Sequence, residues 1–323
     1  MKSQNKIKPK VISTFSGCGG SSMGYHLAGY DVLMAVEMDN HAAETYKLNF
    51  PDTIVYHGDI HDLTIDEILE KTKLKPGELD LFDGSPPCQG FSMIGKREYC
   101  DPKNQLYNEY IRLLRGLKPK TFVMENVKGL VIGKMKLIFK DILTELKNSG
   151  YDVQVKLMNA KYYNCATERE RLIFIGVRED LGIPASHPNP QTRPISIQSA
   201  IGHLEGKYTD SRKYVEYAKY LRQGEKSGNI PDFPTRERDI RRCKQDQPCP
   251  TITRKRQLIH YKENRRLTIE EESILQSFTY KDNNFKWVGS DNQIQQRIGN
   301  SVPPNLMKAI AQHIKKEILE KID

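Results

Sequence analysis

Several features typical of secreted, metal-binding and membrane proteins are missing from this sequence of 323 residues. It contains no apolar run of about 18 residues that could span a membrane, and its basic start lacks the apolar stretch of a secretory signal. No two cysteines form a Cys-x-x-Cys pair, so neither a zinc site nor a disulfide framework is indicated. We therefore expect a cytoplasmic protein with reduced thiols, without a metal site or a membrane segment. The six cysteines are Cys18, Cys88, Cys100, Cys165, Cys243 and Cys249.

Two common nucleotide-binding fingerprints are also missing. The stretch FSGCGGSSMG has Ser22 where the dinucleotide pattern Gly-x-Gly-x-x-Gly needs its third glycine. No lysine follows the glycines, as a phosphate-binding loop would require. ATP and dinucleotides are therefore disfavoured, and a nucleoside without a phosphate chain, such as S-adenosylmethionine, fits better. Taken alone, the glycines are equally compatible with a plain tight turn.

Positive charge is concentrated in one part of the chain. The net charge is +9, and residues 207–266 hold 17 Lys and Arg against 8 Asp and Glu, which equals the whole excess. Two interpretations are open. The segment is either a solvated charged surface or a module that binds a polyanion through clustered Lys and Arg.

The first half of the sequence alternates strand-like and helix-like segments. KVISTF, DVLMAVEMD, DTIVYHGDI, LDLFDGS and TFVMENV predict strands, separated by segments with helical spacing. This alternation predicts an α/β fold with a doubly wound, mostly parallel, Rossmann-like sheet. Beyond Gly182 the alternation is lost until about Arg266, after which helical patterns return. We expect a large α/β domain over 1–183 and 285–323, and a smaller irregular domain with its hinge over 184–284.

Polar residues stand at the ends of the predicted strands. Glu37 ends the second strand and could accept the hydroxyls of a ribose, and Asp59 ends the third, where it could meet an adenine edge. Cys88 follows the fourth strand on a stiff Pro-Pro loop, and Glu125 ends the fifth. A thiol and a carboxyl at one rim suggest a nucleophile with a proton donor. A buried packing role for Cys88 and a surface role for Glu125 remain open at this stage.

Seven stretches, taken together and in order, resemble the C5-cytosine DNA methyltransferase family, whose fold is of the class I methyltransferase type. They are FSGCGG, VEMD, GDI, DGSPPCQGFS, ENV, RER and GNSVPP, and they run from Phe15 to Pro304. The combination of Pro-Pro-Cys-Gln with Glu-Asn-Val is the most specific part of the resemblance. Only the basic segment lacks a family pattern.

The resemblance implies a reaction and a role for each matching residue. Cys88 would attack C6 of a cytosine flipped out of the duplex, and Glu125 would bind the exocyclic amine and N3. Arg171 would hold O2 and Arg169 would support the loop. S-adenosylmethionine would donate the methyl group and leave as S-adenosylhomocysteine. The implied cofactor residues are Phe15, Gly17, Gly19, Gly20, Glu37, Met38, Asp59, Ile60, Pro87, Asn300 and Ser301.

The resemblance also implies that the partner is duplex DNA, read by a monomer, with a restriction endonuclease of the same target as a second possible partner. PTIT in the basic segment resembles the threonine-bearing core of the family's recognition region. Its neighbour Cys249 has no carboxylate partner on a strand, so we interpret it as structural. The implied DNA-contacting residues are Gln89, Ser92, Thr251, Thr253, Arg254, Lys255 and Arg256.

Four positions depart from the family pattern and keep alternatives open. Ala166 and Thr167 replace a Pro-Gln pair, and Ile274 and Thr279 replace an arginine and a proline. These departures motivate one alternative, a DNA-binding protein with a decayed active site. The other alternative is an RNA methyltransferase acting on transfer RNA with the same fold. The Cys-Phe-Thr signature of that subgroup is absent from the sequence.

Overall fold

The computed structural model describes residues 8–87, 106–133, 135–208, 215–234, 239–253, 257–278 and 285–322. Its strands are β1 Lys10–Thr14, β2 Asp31–Glu37, β3 Ile54–His57, β4 Leu81–Gly84, β5 Thr121–Val127, β6 Tyr151–Asn159, β7 Glu170–Arg178, β8 Ile240–Arg242 and β9 Gln257–Ile259. Its helices are α1 Gly20–Leu27, α2 Asn40–Asn49, α3 Ile65–Thr72, α4 Leu106–Leu117, α5 Met135–Asn148, α6 Ile197–Ile201, α7 Ile269–Leu275, α8 Asp291–Asn300 and α9 Pro304–Glu317.

The first seven strands form one sheet in the order β3-β2-β1-β4-β5-β7-β6. The pairs β1–β2, β2–β3, β1–β4 and β4–β5 are parallel, and β7 runs antiparallel to β5. The chain builds outward from β1 in one direction and from β4 in the other. Their boundary is therefore the switch point at which open α/β sheets bind ligands. The mostly parallel, doubly wound sheet predicted from the alternating pattern is confirmed.

Local sequence explains where several elements begin. Thr64 precedes α3 and its hydroxyl accepts a hydrogen bond from the Glu67 amide, 3.2 Å away, as the Thr-x-x-Glu pattern predicts. A complete capping box, in which Thr268 and Glu271 each bond the other's backbone, opens α7. The helix α8 was not predicted, because only Ile294 and Ile298 mark its apolar face in a polar stretch.

The chain divides into two compact units. The sheet unit comprises Met1–Met158, Glu170–Asn189 and Met307–Asp323, and the recognition unit comprises Asn159–Arg169 and Pro190–Leu306. These bounds differ from the expected 184–284, because 159–169 and 285–306 belong to the recognition unit. One reason is visible in α8, where Ile298 is fully buried with Leu275 in the recognition unit's core and accepts a hydrogen bond from Gln276.

The two units are packed around separate apolar cores. In the sheet unit, Phe82, Tyr110 and Phe122 lie in a core formed by the strands and by α3, α4 and α5. In the recognition unit, Ile197, Leu258 and their neighbours form a smaller one. Within the described residues, no helix is both long and apolar enough to cross a bilayer.

Candidate active site

The glycine-rich loop after β1 is held against the end of β2. The Gly17 amide donates a hydrogen bond to Glu37 Oε2 at 2.7 Å, and the amides of Met38 and Asp39 donate to Glu37 Oε1 at 2.9 and 2.8 Å. Gly17 has φ +57° and Gly19 has φ +96°, a backbone region that favours glycine. The strand end and the loop are thus fixed together, with Glu37 at their junction.

The space around this junction suits a flat, partly apolar ligand. A side chain built on Gly17 would meet no atom within 4 Å, so its backbone is open to close approach. Met38 is 66% exposed, a large apolar side chain without cover. Phe15 has φ +52° and packs against the core of the sheet unit, and Gly20 is buried at the first position of α1.

The third strand end is arranged differently from the first two. The Asp59 carboxylate accepts a hydrogen bond from the His61 amide at 3.0 Å, and the His61 ring nitrogen Nδ1 lies 2.7 Å from the same oxygen. These contacts lower the pKa of Asp59, so it is a carboxylate near neutral pH. Ile60 is 4% exposed and its side chain packs in the core. The predicted adenine contacts of both residues remain predictions.

The carboxyl end of β5 and the amino end of β7 hold an ion pair. Arg171 Nε lies 2.5 Å from Glu125 Oε1, and both side chains are largely buried. The antiparallel register explains the meeting, since Val127 pairs with Arg171 and Glu125 lies two residues before Val127. A carboxyl and a guanidinium in this arrangement can bind the polar edge of one heterocycle.

The residue after Glu125 holds the start of the Pro-Pro loop. Asn126 Nδ2 donates a hydrogen bond to the Pro86 carbonyl at 3.2 Å, which ties the Glu-Asn-Val strand end to the loop after β4. Pro87 is half-buried at the last described position of that loop. Cys88, Gln89 and Ser92 lie outside the described residues, so their predicted roles stay predictions.

The predicted arginine pair is divided between the two units. Arg169 belongs to the recognition unit, is 0% exposed, and donates from Nη1 to the Ile252 carbonyl at 3.0 Å. The Thr251 hydroxyl donates to the Glu168 carbonyl at 2.9 Å. Arg169 therefore supports the backbone of the PTIT segment, and its expected support of the catalytic loop stays a prediction.

The departures from the family pattern at Ala166 and Thr167 lie in a segment whose backbone is bonded to that of Cys249. The Cys249 amide donates to the Ala166 carbonyl and the Glu168 amide donates to the Cys249 carbonyl, both at 2.8 Å. These are backbone bonds that do not depend on which side chains stand at 166 and 167. Cys249 itself is fully buried, and burial raises its pKa, which agrees with a structural role.

The remaining predicted residues receive only partial descriptions. Ser301 caps α8, and its hydroxyl donates to the Arg297 carbonyl at 2.7 Å, while Asn300 is exposed at the helix end. Both belong to the recognition unit, and their predicted cofactor contacts stay predictions. Thr253 is half-buried at the end of the PTIT segment. The residues Arg254, Lys255, Arg256 and Thr279 lie beyond the described parts of the chain.

One residue in this region was not singled out from the sequence. Asp83, at the buried third position of β4, accepts hydrogen bonds from Ser13 Oγ at 2.7 Å and from the Tyr25 hydroxyl at 2.9 Å. It links β1, α1 and β4 through these two hydrogen bonds. A carboxylate inside a predicted buried strand was the signal that could have identified it.

The family relationship is decided by the length of chain that a family model matches. The model for C-5 cytosine-specific DNA methylases matches residues 9–316. The chain belongs to the C-5 cytosine-specific DNA methylase family. It is therefore an S-adenosylmethionine-dependent enzyme that methylates C5 of cytosine in DNA, and the resemblance seen in the sequence is confirmed.

Relatives agree with this assignment over nearly the whole chain. Type II methyltransferase M1.HphI of Haemophilus parahaemolyticus is 34% identical, over 94% of this chain and 86% of the relative. Type II methyltransferase M.NgoPII of Neisseria gonorrhoeae is 32% identical over 96% of both chains. A crystal structure of a protein named as a DNA modification methyltransferase encoded within an E. coli prophage has a TM-score of 0.79. It is 26% identical and covers 97% of this chain and 100% of its own.

A second structural neighbour supports the fold alone. The Spodoptera frugiperda DNMT2 mutant has a TM-score of 0.70 at 20% identity, covering 98% of this chain and 99% of its own. The fold is thus that of a class I methyltransferase.

Proposed function

We propose that this DNA cytosine methylase uses Cys88 as its nucleophile, with Glu125 and Arg171 as the residues that bind the target base. The observation that carries the proposal is the ion pair between Glu125 and Arg171 at the ends of β5 and β7. It is supported by the hydrogen bond from Asn126 to Pro86, which ties that pair to the loop that leads to Cys88.

The chemistry of cytosine explains why these groups are needed. C5 is a weak nucleophile, and addition of the Cys88 thiolate to C6 moves the π electrons of the C5–C6 bond so that C5 becomes the carbon of an enamine. Glu125, as the acid, donates its proton to N3 while negative charge develops on the ring, and Arg171 holds O2. After C5 has taken the methyl group, its proton leaves to a base, the electron pair restores the C5–C6 double bond, the thiolate departs, and the N3 proton returns to Glu125.

The residues at the β1 and β2 ends fit the cofactor. Glu37 would accept the ribose hydroxyls, the open backbone at Gly17 would allow close approach, and exposed Met38 would lie against the adenine. Pro87, Asn300 and Ser301 would complete the site. When bound, S-adenosylmethionine supplies the electrophilic methyl group.

The recognition unit would bind the duplex through the PTIT segment. Thr251 and Thr253 would face the major groove, with Arg254, Lys255 and Arg256 contacting phosphate or guanine, and Gln89 and Ser92 reaching the target from the loop after β4. The names of the relatives, all Type II methyltransferases, support a place in a restriction-modification system with an endonuclease of the same target. We expect a cytoplasmic monomer.

Transfer of labelled methyl groups tests this proposal directly. We expect incorporation into duplex DNA and not into transfer RNA, and a covalent adduct with DNA that carries 5-fluorocytosine. The adduct should disappear in Cys88→Ala and remain in Cys249→Ala, the matched thiol control. Transfer only to RNA, or an adduct that survives Cys88→Ala, would contradict the proposal. Bisulfite mapping of DNA from expressing cells would then give the target sequence.

A further inference from the structure

Asp83 is a buried carboxyl group at the switch point of the sheet. It lies on β4, paired in register with Ser13 of β1, and its side chain is 2% exposed. Ser13 Oγ and the Tyr25 hydroxyl donate to its two oxygens at 2.7 and 2.9 Å. Ser13 and Tyr25 stand on either side of the glycine-rich loop, on β1 and α1 respectively. The carboxyl thus bridges the two elements that flank the loop that we propose to hold the cofactor.

Asp83 has polar partners but no positive one. The titratable groups that face it are Tyr25 from α1, Tyr46 from α2, Tyr110 from α4 and Glu125 from β5. The three tyrosines have raised pKa values and stay neutral, and Glu125 is paired with Arg171. Among the residues that the structure describes, no Lys, Arg or His forms an ion pair with Asp83.

Ionisation of a carboxyl group is unfavourable in this setting. Burial is the main cause that raises the pKa of Asp83 to about 7, against the stabilising hydrogen bonds from Ser13 and Tyr25. A buried negative charge is normally compensated by a cation close by. None of the described side chains of the sheet unit supplies this positive charge.

S-adenosylmethionine has a charge of the required sign. Its sulfonium sulfur is positive, whereas the sulfur of the product, S-adenosylhomocysteine, is a neutral thioether. We propose that Asp83 is the counter-charge for the sulfonium, and that it makes the enzyme bind the charged substrate in preference to the neutral product. This inference rests on the proposed cofactor site at the β1 and β2 ends.

The consequence is a linkage between a proton and the ligand. A nearby cation favours the ionised form of Asp83, so the charged ligand binds better when this carboxyl has already lost its proton. The neutral product has no such electrostatic attraction to the ionised carboxyl. The preference for substrate over product should therefore grow as the pH rises through the range in which Asp83 ionises. Buried charges interact strongly enough to make this preference change about tenfold.

The test is a calorimetric measurement of both ligands at about pH 6 and about pH 8. In the wild-type protein, the ratio of the two dissociation constants should shift about tenfold toward the substrate at the higher pH. In Asp83→Asn, which keeps the size of the side chain and a polar partner for Ser13 and Tyr25, the shift should vanish. The amino groups of the ligands titrate in both proteins, so the difference between the two proteins isolates Asp83.

A second variant keeps the charge and moves its titration. Ser13→Ala removes a hydrogen bond that stabilises the carboxylate, so the pH midpoint of the preference should rise while its size stays about the same. The same shift in wild type and Asp83→Asn would overturn the inference, as would an unchanged midpoint in Ser13→Ala if the Asn variant does not fold. Failure of the wild-type protein to bind either ligand would instead overturn the proposed cofactor site.

Discussion

The two units use buried polar side chains in different ways. In the sheet unit, the strands satisfy one another's backbone groups, and Glu37, Asp83 and Glu125 lie in the last three residues of β2, β4 and β5. In the recognition unit, loops predominate, and buried arginines donate to their carbonyl oxygens. Arg242 donates to the carbonyls of His260, Glu263 and Ala218 and to Asn264 Oδ1.

This difference changes how the basic segment is understood. Arg242 is 6% exposed and Arg265 is 4% exposed, and Arg265 forms a two-bond ion pair with Glu271 at 2.7 and 2.8 Å. Both belong to the segment whose charge suggested a polyanion-binding module. Part of that charge therefore holds the fold, because a guanidinium with five donors can replace the missing strand partners of a loop.

The largest expected effect is that of Arg242→Met, which tests whether buried arginines stabilise the recognition unit. The change removes the Arg242 donors of the His260 and Glu263 carbonyls and of Asn264 Oδ1, and one of the two donors of the Ala218 carbonyl, so we expect a loss of about 4 kcal/mol in the free energy of unfolding. Denaturant unfolding would measure it. Arg222→Met is the matched control, since Arg222 is exposed in the same segment and the charge lost is equal. Equal losses of stability in the two variants would show that the buried Arg242 stabilises the recognition unit no more than an exposed arginine does.

A second test concerns the pH dependence of stability in the sheet unit. Folding raises the pKa of Asp83 to about 7 from its ordinary value of 3.8, so the folded chain holds a proton that the unfolded chain has lost. Stability should therefore fall as the pH rises between these values and level off above the higher one. Relative to Asp83→Asn, the wild-type protein should lose at most about 4 kcal/mol over this range.

The measurement is denaturant unfolding of both proteins across the pH range. Asp180, exposed on the same unit and with a lowered pKa, offers the control Asp180→Asn, whose small effect should run in the opposite direction. Parallel curves for wild type and Asp83→Asn would show that Asp83 does not titrate in this range.

A third test separates chemistry from folding at the strand ends. Glu125→Gln keeps the shape of the side chain but removes the acid, so we expect turnover to fall about a hundredfold to a thousandfold. The affinity for duplex DNA should remain close to that of the wild-type protein. Single-turnover methylation and filter binding would measure the two quantities.

The control for this change is Glu145→Gln, which removes an exposed carboxyl of α5 that forms an ion pair with Arg115. We expect it to leave turnover within about twofold of the wild-type rate. An unchanged rate in Glu125→Gln would rule out its role at the base.

Sequence reasoning placed Glu37 and Glu125 correctly at the ends of their strands, because those positions depend on local patterns. Glu37 and Glu125 were predicted because the carboxyl ends of parallel strands meet at one edge. Asp83 was missed because its partners, Ser13 and Tyr25, lie about 60 to 70 positions away in the sequence. Arg242 was not separated from the rest of the basic segment, for which a solvated surface and a polyanion-binding module were both open, because its position among carbonyl oxygens depends on the folded recognition unit.

The smallest effect is expected from Thr251, where the recognition unit depends on one hydroxyl. Its Oγ1 donates to the Glu168 carbonyl at 2.9 Å, next to the hydrogen bond from Arg169 to Ile252. Thr251→Val keeps the shape and loses this bond, so we expect about 1 kcal/mol less stability, whereas Thr251→Ser should lose much less. If the bond also fixes the segment that reads DNA, the ratio of methylation at cognate and non-cognate sites should fall about fivefold in Val only. If the ratio is unchanged in Thr251→Val, this hydrogen bond stabilises the fold of the recognition unit without setting specificity.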